Sequence, residues 1–146
     1  MDYDIRDYEI DEITYRFKDF FSREGAKESY LRWSPGDSTI LIENSTGKSL
    51  KKILSLILIR PNSKFQHASV SITHTIPNSR GFLEMSRYFV LGKKEIEIVL
   101  NLKPGTNYLN FKSDSHHIDN GDPRNIVFGI GTVSYTHLTL PTKRIV

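Results

Sequence analysis

Three short stretches hold the side chains best suited to chemistry. "RWS" (Arg32–Ser34) contains the one tryptophan of the chain. An indole presents a large apolar face to the C–H face of a pyranose ring, and Arg32 is a donor for sugar hydroxyls. The competing reading makes Trp33 a plug at one end of a core, because tryptophan is highly buried on average. "NGDPRN" (Asn120–Asn125) offers Asp122 and Arg124 to ligand hydroxyls or to a protein partner. Alternatively, Asp122 caps its own Asp-Pro turn and Arg124 folds back onto a carboxylate or onto Trp33. "DSHHIDNGD" (Asp114–Asp122) could gather Asp114, Asp119 and Asp122 around calcium. Its spacing is not that of an EF-hand, and the adjacent His116 and His117 point apart on an extended chain. The candidate ligand-binding residues are therefore Arg32, Trp33, Asp122 and Arg124, with no metal and no cofactor expected.

The chain has no G-x-S-x-G, no P-loop and no G-x-G-x-x-G. Glu95 and Glu97 share one parity and could form a carboxylate pair, but on an alternating strand they also make an ordinary wet face. His67 and His74 are seven positions apart on one strand and face opposite sides. A small hydrolase or lyase would need Glu24, Glu95 or Glu97 to converge on a histidine in a cleft. No catalytic set is visible, so the expectation is a chain that is not an enzyme.

The elements that must carry these residues are short strands. "STILIEN" (Ser38–Asn44) is bounded by the turn "NSTGKS". "LKKILSLILIRP" (Leu50–Pro61) suits a helix by periodicity, but Pro61 and the flanking turn favour a strand. "QHASVSITHT" (Gln66–Thr75) alternates, with Ala68, Val70, Ile72 and His74 on one face. "FLEMSRYFVL" is a further candidate. "EIEIVLNL" (Glu95–Leu102) puts Ile96, Ile98 and Leu100 opposite the glutamates, and "KPGTN" turns into "YLNFKS". "IVFGIGTV" follows the long polar loop. Alternating strands with turn chemistry between them predict an all-β fold, an antiparallel, jelly-roll-like β-sandwich of about seven to eight strands. Residues 1–19 read as a short irregular or helical N-terminal segment, and residues 20–132 as the sandwich.

Composition sets outer bounds. A chain of 146 residues can bury a core without staples, and it has no cysteine, which removes disulfides and thiol catalysis. No run approaches the length of a membrane helix, and the acidic "MDYDIRDYEIDE" lacks a signal-peptide core. The compartment stays open, a cytoplasmic or membrane-associated setting being expected. The last fourteen residues are a separate matter. "VSYTHLTLPT" (Val133–Thr142) resembles a translated sequencing adapter at every position, with Lys143–Ile145 in the place of an index. Residues 133–146 are accordingly expected to be a non-native tail on a sandwich truncated at its last strand. Val133 and Tyr135 nevertheless continue the alternation of Val127, Gly129 and Gly131, so the tail can mimic the end of that strand. Without Lys143 and Arg144, 18 basic residues face 17 acidic ones, too even a balance to argue for nucleic acid.

"FFSREGAKESYLRWS" and "DPRNIVFGIGTV" together resemble a β-sandwich accessory domain of bacterial envelope-polysaccharide proteins, attached to glycosyltransferases. The first stretch supplies the aromatic pair Phe20 and Phe21, then Glu24 and Arg32-Trp33-Ser34. The second supplies Asp122, Arg124, Ile126, Phe128, Gly129 and Ile130. The resemblance implies a non-catalytic, carbohydrate-associated module, with glycan as a partner and a covalently linked transferase domain. It implies that Trp33 and Arg124 meet at one end of the sandwich. A purely structural protein–protein interaction module, with Trp33 and Arg124 in its core, is the alternative.

Overall fold

The computed structural model describes residues 13–25, 30–61, 66–119 and 121–137, the last six by their main chain. The acidic stretch 1–12, Asn120 and the tail beyond His137 lie outside these residues. Nine strands follow in order: β1 (Ile13–Lys18), β2 (Leu31–Ser34), β3 (Asp37–Asn44), β4 (Leu50–Arg60), β5 (Ala68–Thr75), β6 (Glu84–Val90), β7 (Gly92–Leu102), β8 (Gly105–Lys112) and β9 (Phe128–His137). They form a five-stranded sheet, β1-β3-β8-β5-β6, and a four-stranded sheet, β2-β9-β4-β7. Every pairing is antiparallel. From β2 to β5 the chain changes sheet at each connection. The fold is the expected β-sandwich, with two strands more than the pattern showed plainly.

Alternation builds the core. In β4 the buried positions are Lys52, Leu54, Leu56, Leu58 and Arg60, and in β7 they are Ile96, Ile98, Leu100 and Leu102. The facing sheet contributes Ile40, Ile42, Val70, Ile72, Leu109 and Phe111, all 2% exposed or less. Each such aliphatic side chain gains about 1.5–3 kcal/mol by leaving water. Phe17, Phe20, Phe111 and Phe128 make a chain of rings with centroids 5.9, 5.7 and 6.4 Å apart, and the Phe111–Phe128 step crosses between the sheets. Leu50–Arg60 is a strand, as Pro61 suggested, because its partners β7 and β9 satisfy the main chain on both sides.

Two departures matter for the site. Ile13–Lys18 was expected to precede the sandwich, yet it is the edge strand β1, paired with β3 from Ile13↔Asn44 to Lys18↔Thr39. Its Ile13 and Tyr15 alternate into the core, a pattern too short to stand out among acidic neighbours. Leu31–Ser34 is also a strand, β2, so the Trp33 motif sits in the sheet rather than before it. Pro35 and Gly36 (φ +116°) then turn the chain from one sheet to the other; few residues other than glycine adopt that backbone.

The polar loop between β8 and β9 is anchored. Ile118 and Ile126 are buried and share the main-chain bond Ile118 N–H to Ile126 O (2.6 Å). Buried Arg60 donates to the carbonyls of Gln66 (3.0 Å), His116 (2.8 Å) and Val127 (2.7 Å), which ties two loops to the end of β4. Burial pulls its guanidinium below the ordinary arginine range.

Candidate functional site

β2 presents its two key side chains to opposite sides, as neighbours on a strand must. Ser34 is buried and faces the other sheet. Arg32 has the same parity: its guanidinium lies over the Phe17 ring at 4.4 Å and donates to Phe21 O at 3.3 Å. Trp33 has the opposite parity and stands half-buried on the outer face of the four-stranded sheet. It crosses over Gly129, its register partner on β9. A β-carbon built at Gly129 would be 2.7 Å from Trp33 Cε3 and 3.0 Å from Cζ3. The glycine is the space the indole occupies. Arg32 and Trp33 are therefore not one site, and Trp33 is not a core plug.

The segment Phe21–Glu24 extends this sheet past β2. Phe21 N–H donates to Trp33 O (2.9 Å), and Glu24 and Leu31 exchange both main-chain bonds, at 2.8 and 2.9 Å. Arg124 meets the same segment. Its Nη1 is 2.6 Å from Glu24 Oε2, and its guanidinium carbon lies 5.3 Å from the centre of the Phe21 ring. On the other side Asp122 takes a two-point grip, with Nε to Oδ1 at 3.0 Å and Nη2 to Oδ2 at 2.7 Å. Asp122 Oδ1 also accepts the Arg124 main-chain N–H at 2.9 Å, which closes the turn. The turn-capping role and the fold-back onto a carboxylate are thus both present. Trp33 and Arg124 come together through Phe21–Glu24, one by main chain and the other by side chain.

These groups are only partly withdrawn from water: the side chains of Arg124, Glu24 and Asp122 are 33%, 40% and 23% exposed. The Arg124 side-chain bonds, and then its main-chain bond, hold the Asp122 carboxyl down at about 2. Asp122 and then Glu24 raise the Arg124 guanidinium above its ordinary range. The cluster carries one positive and two negative charges at neutral pH. Two of the five guanidinium N–H bonds have no partner among the described residues. Chemically this is a fixed planar donor flanked by fixed acceptors, a surface that can hydrogen-bond neighbouring hydroxyls.

The other candidates are placed elsewhere. Asp114, His116, His117 and Asp119 are exposed along the loop, and Asp122 is committed to Arg124. Among the described residues no three of His, Asp and Glu gather as a metal cage would require. Glu95 and Glu97 lie on the open face of β7. His74 is buried on the core face of β5, its Nε2 2.8 Å from Asn107 Oδ1, whereas His67 is exposed. Glu24 and Phe21 were not among the site residues named from the sequence. The accessory-domain resemblance includes both, but their spacing gives no sign of the contact, since Glu24 reaches Arg124 across 100 positions.

No family model matches the sequence, and no curated protein matches it. Among solved structures, the enzymatically active domain of tailspike protein 4 of bacteriophage CBA120 is similar at 13% identity and a TM-score of 0.44. The alignment covers 88% of this chain and 20% of that one. A carbohydrate-binding module of the β-sandwich superfamily, described as having promiscuous specificity, is similar at 12% identity and a TM-score of 0.41, over 91% of this chain and 60% of that one. The chain thus spans a fifth and three-fifths of these two structures. The likeness stops at the general layout of strands.

Proposed function

We propose that this chain is a non-catalytic, carbohydrate-associated β-sandwich module, and that the glycan contacts the end of the four-stranded sheet where Trp33, Phe21, Glu24, Asp122 and Arg124 meet. The observation that carries the reading is the one-third-exposed Arg124, locked between Asp122 and Glu24 with two guanidinium N–H groups unpartnered among the described residues, against the segment that also bonds Trp33. A rigid donor–acceptor row beside aromatic rings suits sugar hydroxyls, because little side-chain entropy remains to be lost on binding. In the full-length protein the module accompanies a glycosyltransferase or another enzyme of envelope polysaccharide synthesis; the sequence resemblance supports that context. Glu95 and Glu97, side by side on an open strand face, serve solubility and not catalysis.

The test uses the single tryptophan as its probe. Neutral and acidic bacterial oligosaccharides titrated against Trp33 emission should give Kd values of ~0.1–5 mM, since a shallow surface buries little area. Binding should vary little with salt and be unaffected by EDTA. Arg124→Lys, which keeps the charge but loses the two-point geometry, should weaken it by about tenfold. No response across the panel refutes glycan binding at this surface.

A second reading has its own observation. On the outer face of the same sheet Leu31, Ile57 and Ile59 are half-buried next to Gly129 and Gly131, with half-buried Ile53 further along β4. An apolar strip of that kind suits a packed neighbour domain and favours a purely structural interaction module.

A further inference from the structure

The sandwich has four sheet edges, and three are protected. β1 carries exposed Arg16 and Lys18. β7 carries exposed Lys93, Lys94, Glu95 and Glu97. β2 is covered by Phe21–Glu24. Charges and covering segments are the usual means of keeping an open edge from pairing with another chain. The fourth edge, β6, also carries the exposed charges of Glu84 and Arg87, but it adds a cluster of exposed large apolar side chains that the other three lack. Met85 and Phe89 on its outer face are 46% and 62% exposed, and Phe82 and Leu83 just before it are 57% and 40% exposed. Its inner partner is β5, and among the described residues nothing pairs with its outer side. A row of unpaired main-chain donors and acceptors beside four large apolar side chains calls for a strand.

We propose that this edge pairs with β6 of a second copy, antiparallel about a two-fold axis at Ser86, joining two five-stranded sheets into one of ten. The sequence of the strand selects both the occupant and the register. Pairing centred on Arg87, the midpoint of the strand, would set Arg87 against Arg87 of the second copy, and like charges directly opposite are unfavourable. One step away, centring on Ser86 sets Met85 against the aliphatic stem of Arg87, Leu83 against Phe89, and Glu84 against the Tyr88 hydroxyl. No like charges are then directly opposite, and the two Arg87 side chains stand diagonally, where each can turn outward to solvent. Met85, Arg87 and Phe89 all lie on one face, so the apolar contacts of both copies fall together. Covering the exposed parts of these side chains in two copies, with the main chain between them, buries about 1,000 Å², below the ~1,200 Å² of stable interfaces and in the range of weak, reversible ones. The dimer is therefore concentration-dependent. It is independent of the glycan surface, which lies on the other sheet.

Sedimentation equilibrium on the full chain should show a monomer–dimer equilibrium with a Kd of ~10 μM. Phe89→Lys and Met85→Lys, both at exposed positions, should each weaken it at least about tenfold while leaving the far-UV circular dichroism and Tm of the monomer unchanged. The chain is cysteine-free, so Ser86→Cys reports the register: mild oxidation should yield a disulfide-linked dimer, while Lys94→Cys on the β7 edge should not. A strictly monomeric wild type overturns the proposal. So does a dimer indifferent to both lysine substitutions, or a Ser86→Cys yield no higher than that of Lys94→Cys.

Discussion

Replacing Gly129 by alanine should be harmful only because of Trp33. Gly129 has no left-handed backbone, so alanine fits its conformation, and in a strand the change alone favours folding by about 0.5–1 kcal/mol. The space is the obstacle. The new methyl would stand 2.7 Å from Cε3 and 3.0 Å from Cζ3 of the indole, and 3.3 Å from the Arg32 carbonyl oxygen. Cε3 belongs to the rigid ring close to its attachment, so no terminal rotor relieves the contact; the whole indole must lift. Overpacking of this kind costs about 1–3 kcal/mol, which outweighs the backbone gain. Remove the ring with Trp33→Ala, itself costing ~2 kcal/mol for a half-buried indole, and Gly129→Ala should turn neutral or stabilising. The cycle of four proteins should give a coupling of about 1–3 kcal/mol, the overpacking cost that disappears with the ring. Urea unfolding followed by far-UV circular dichroism measures it in all four, and Gly129→Ala should also shift Trp33 emission to the red. A coupling below ~0.5 kcal/mol would mean that the indole does not rest on Gly129, and the placement of the site's aromatic wall would fail with it.

The remaining expectations concern the core and the last strand. Burial, reinforced by Lys103, holds the His74 imidazole below its ordinary 6.5, against the raising effects of the Asn107 bond and Glu84. Its contribution to stability is therefore complete above pH ~6.5 and is lost as pH falls from there through the folded-state value; urea titrations across that range should show the slope, and His74→Gln should remove it. Truncation after Thr132 removes four main-chain pairs on β4, from Lys52↔His137 to Ser55↔Ser134, and should cost about 2 kcal/mol or more in urea unfolding. Removal of residues 138–146 alone should leave the unfolding midpoint where it was.

What the sequence made legible followed its periodicity. A long strand with charges between its apolar residues, such as β7 with its isoleucines against glutamates, shows its alternation plainly, whereas the equally long β4, apolar at most positions, suited a helix by periodicity too. β2 has four residues and β1 six, and each borrows its register from a neighbour: β2 from Gly129 and Ile130, β1 from β3. Trp33 and Arg124 could be named from local chemistry, and the Asp122–Arg124 turn is local too, two positions apart. The third member, Glu24, is fixed by topology alone. It comes to Arg124 because β2 pairs with β9 and the segment before β2 doubles back along it. Arg32 was placed with Trp33 by adjacency in sequence, but on a strand adjacency separates side chains.

The last strand carries this reasoning furthest. Residues 133–137 resemble a translated adapter, and their main chain continues β9 alongside β4, past an irregularity between Ser55 and Ile57. Strand pairing asks little of identity: it needs main-chain donors and acceptors, an extended backbone and a face of suitable character. β4 is eleven residues long, and β9 up to Gly131 satisfies only Ile57 to Ile59 on that side. The half from Lys52 to Ser55 would otherwise be an open edge within the sheet, with its polar main chain unpaired. Any extended segment emerging from Gly131 is drawn onto it, because unpaired main chain beside a formed sheet is costly and pairing is close at hand. The register of residues 133–137 is thus a property of β4. A different extended sequence at those positions should take the same register, whereas a proline placed to remove one of the ladder donors should not.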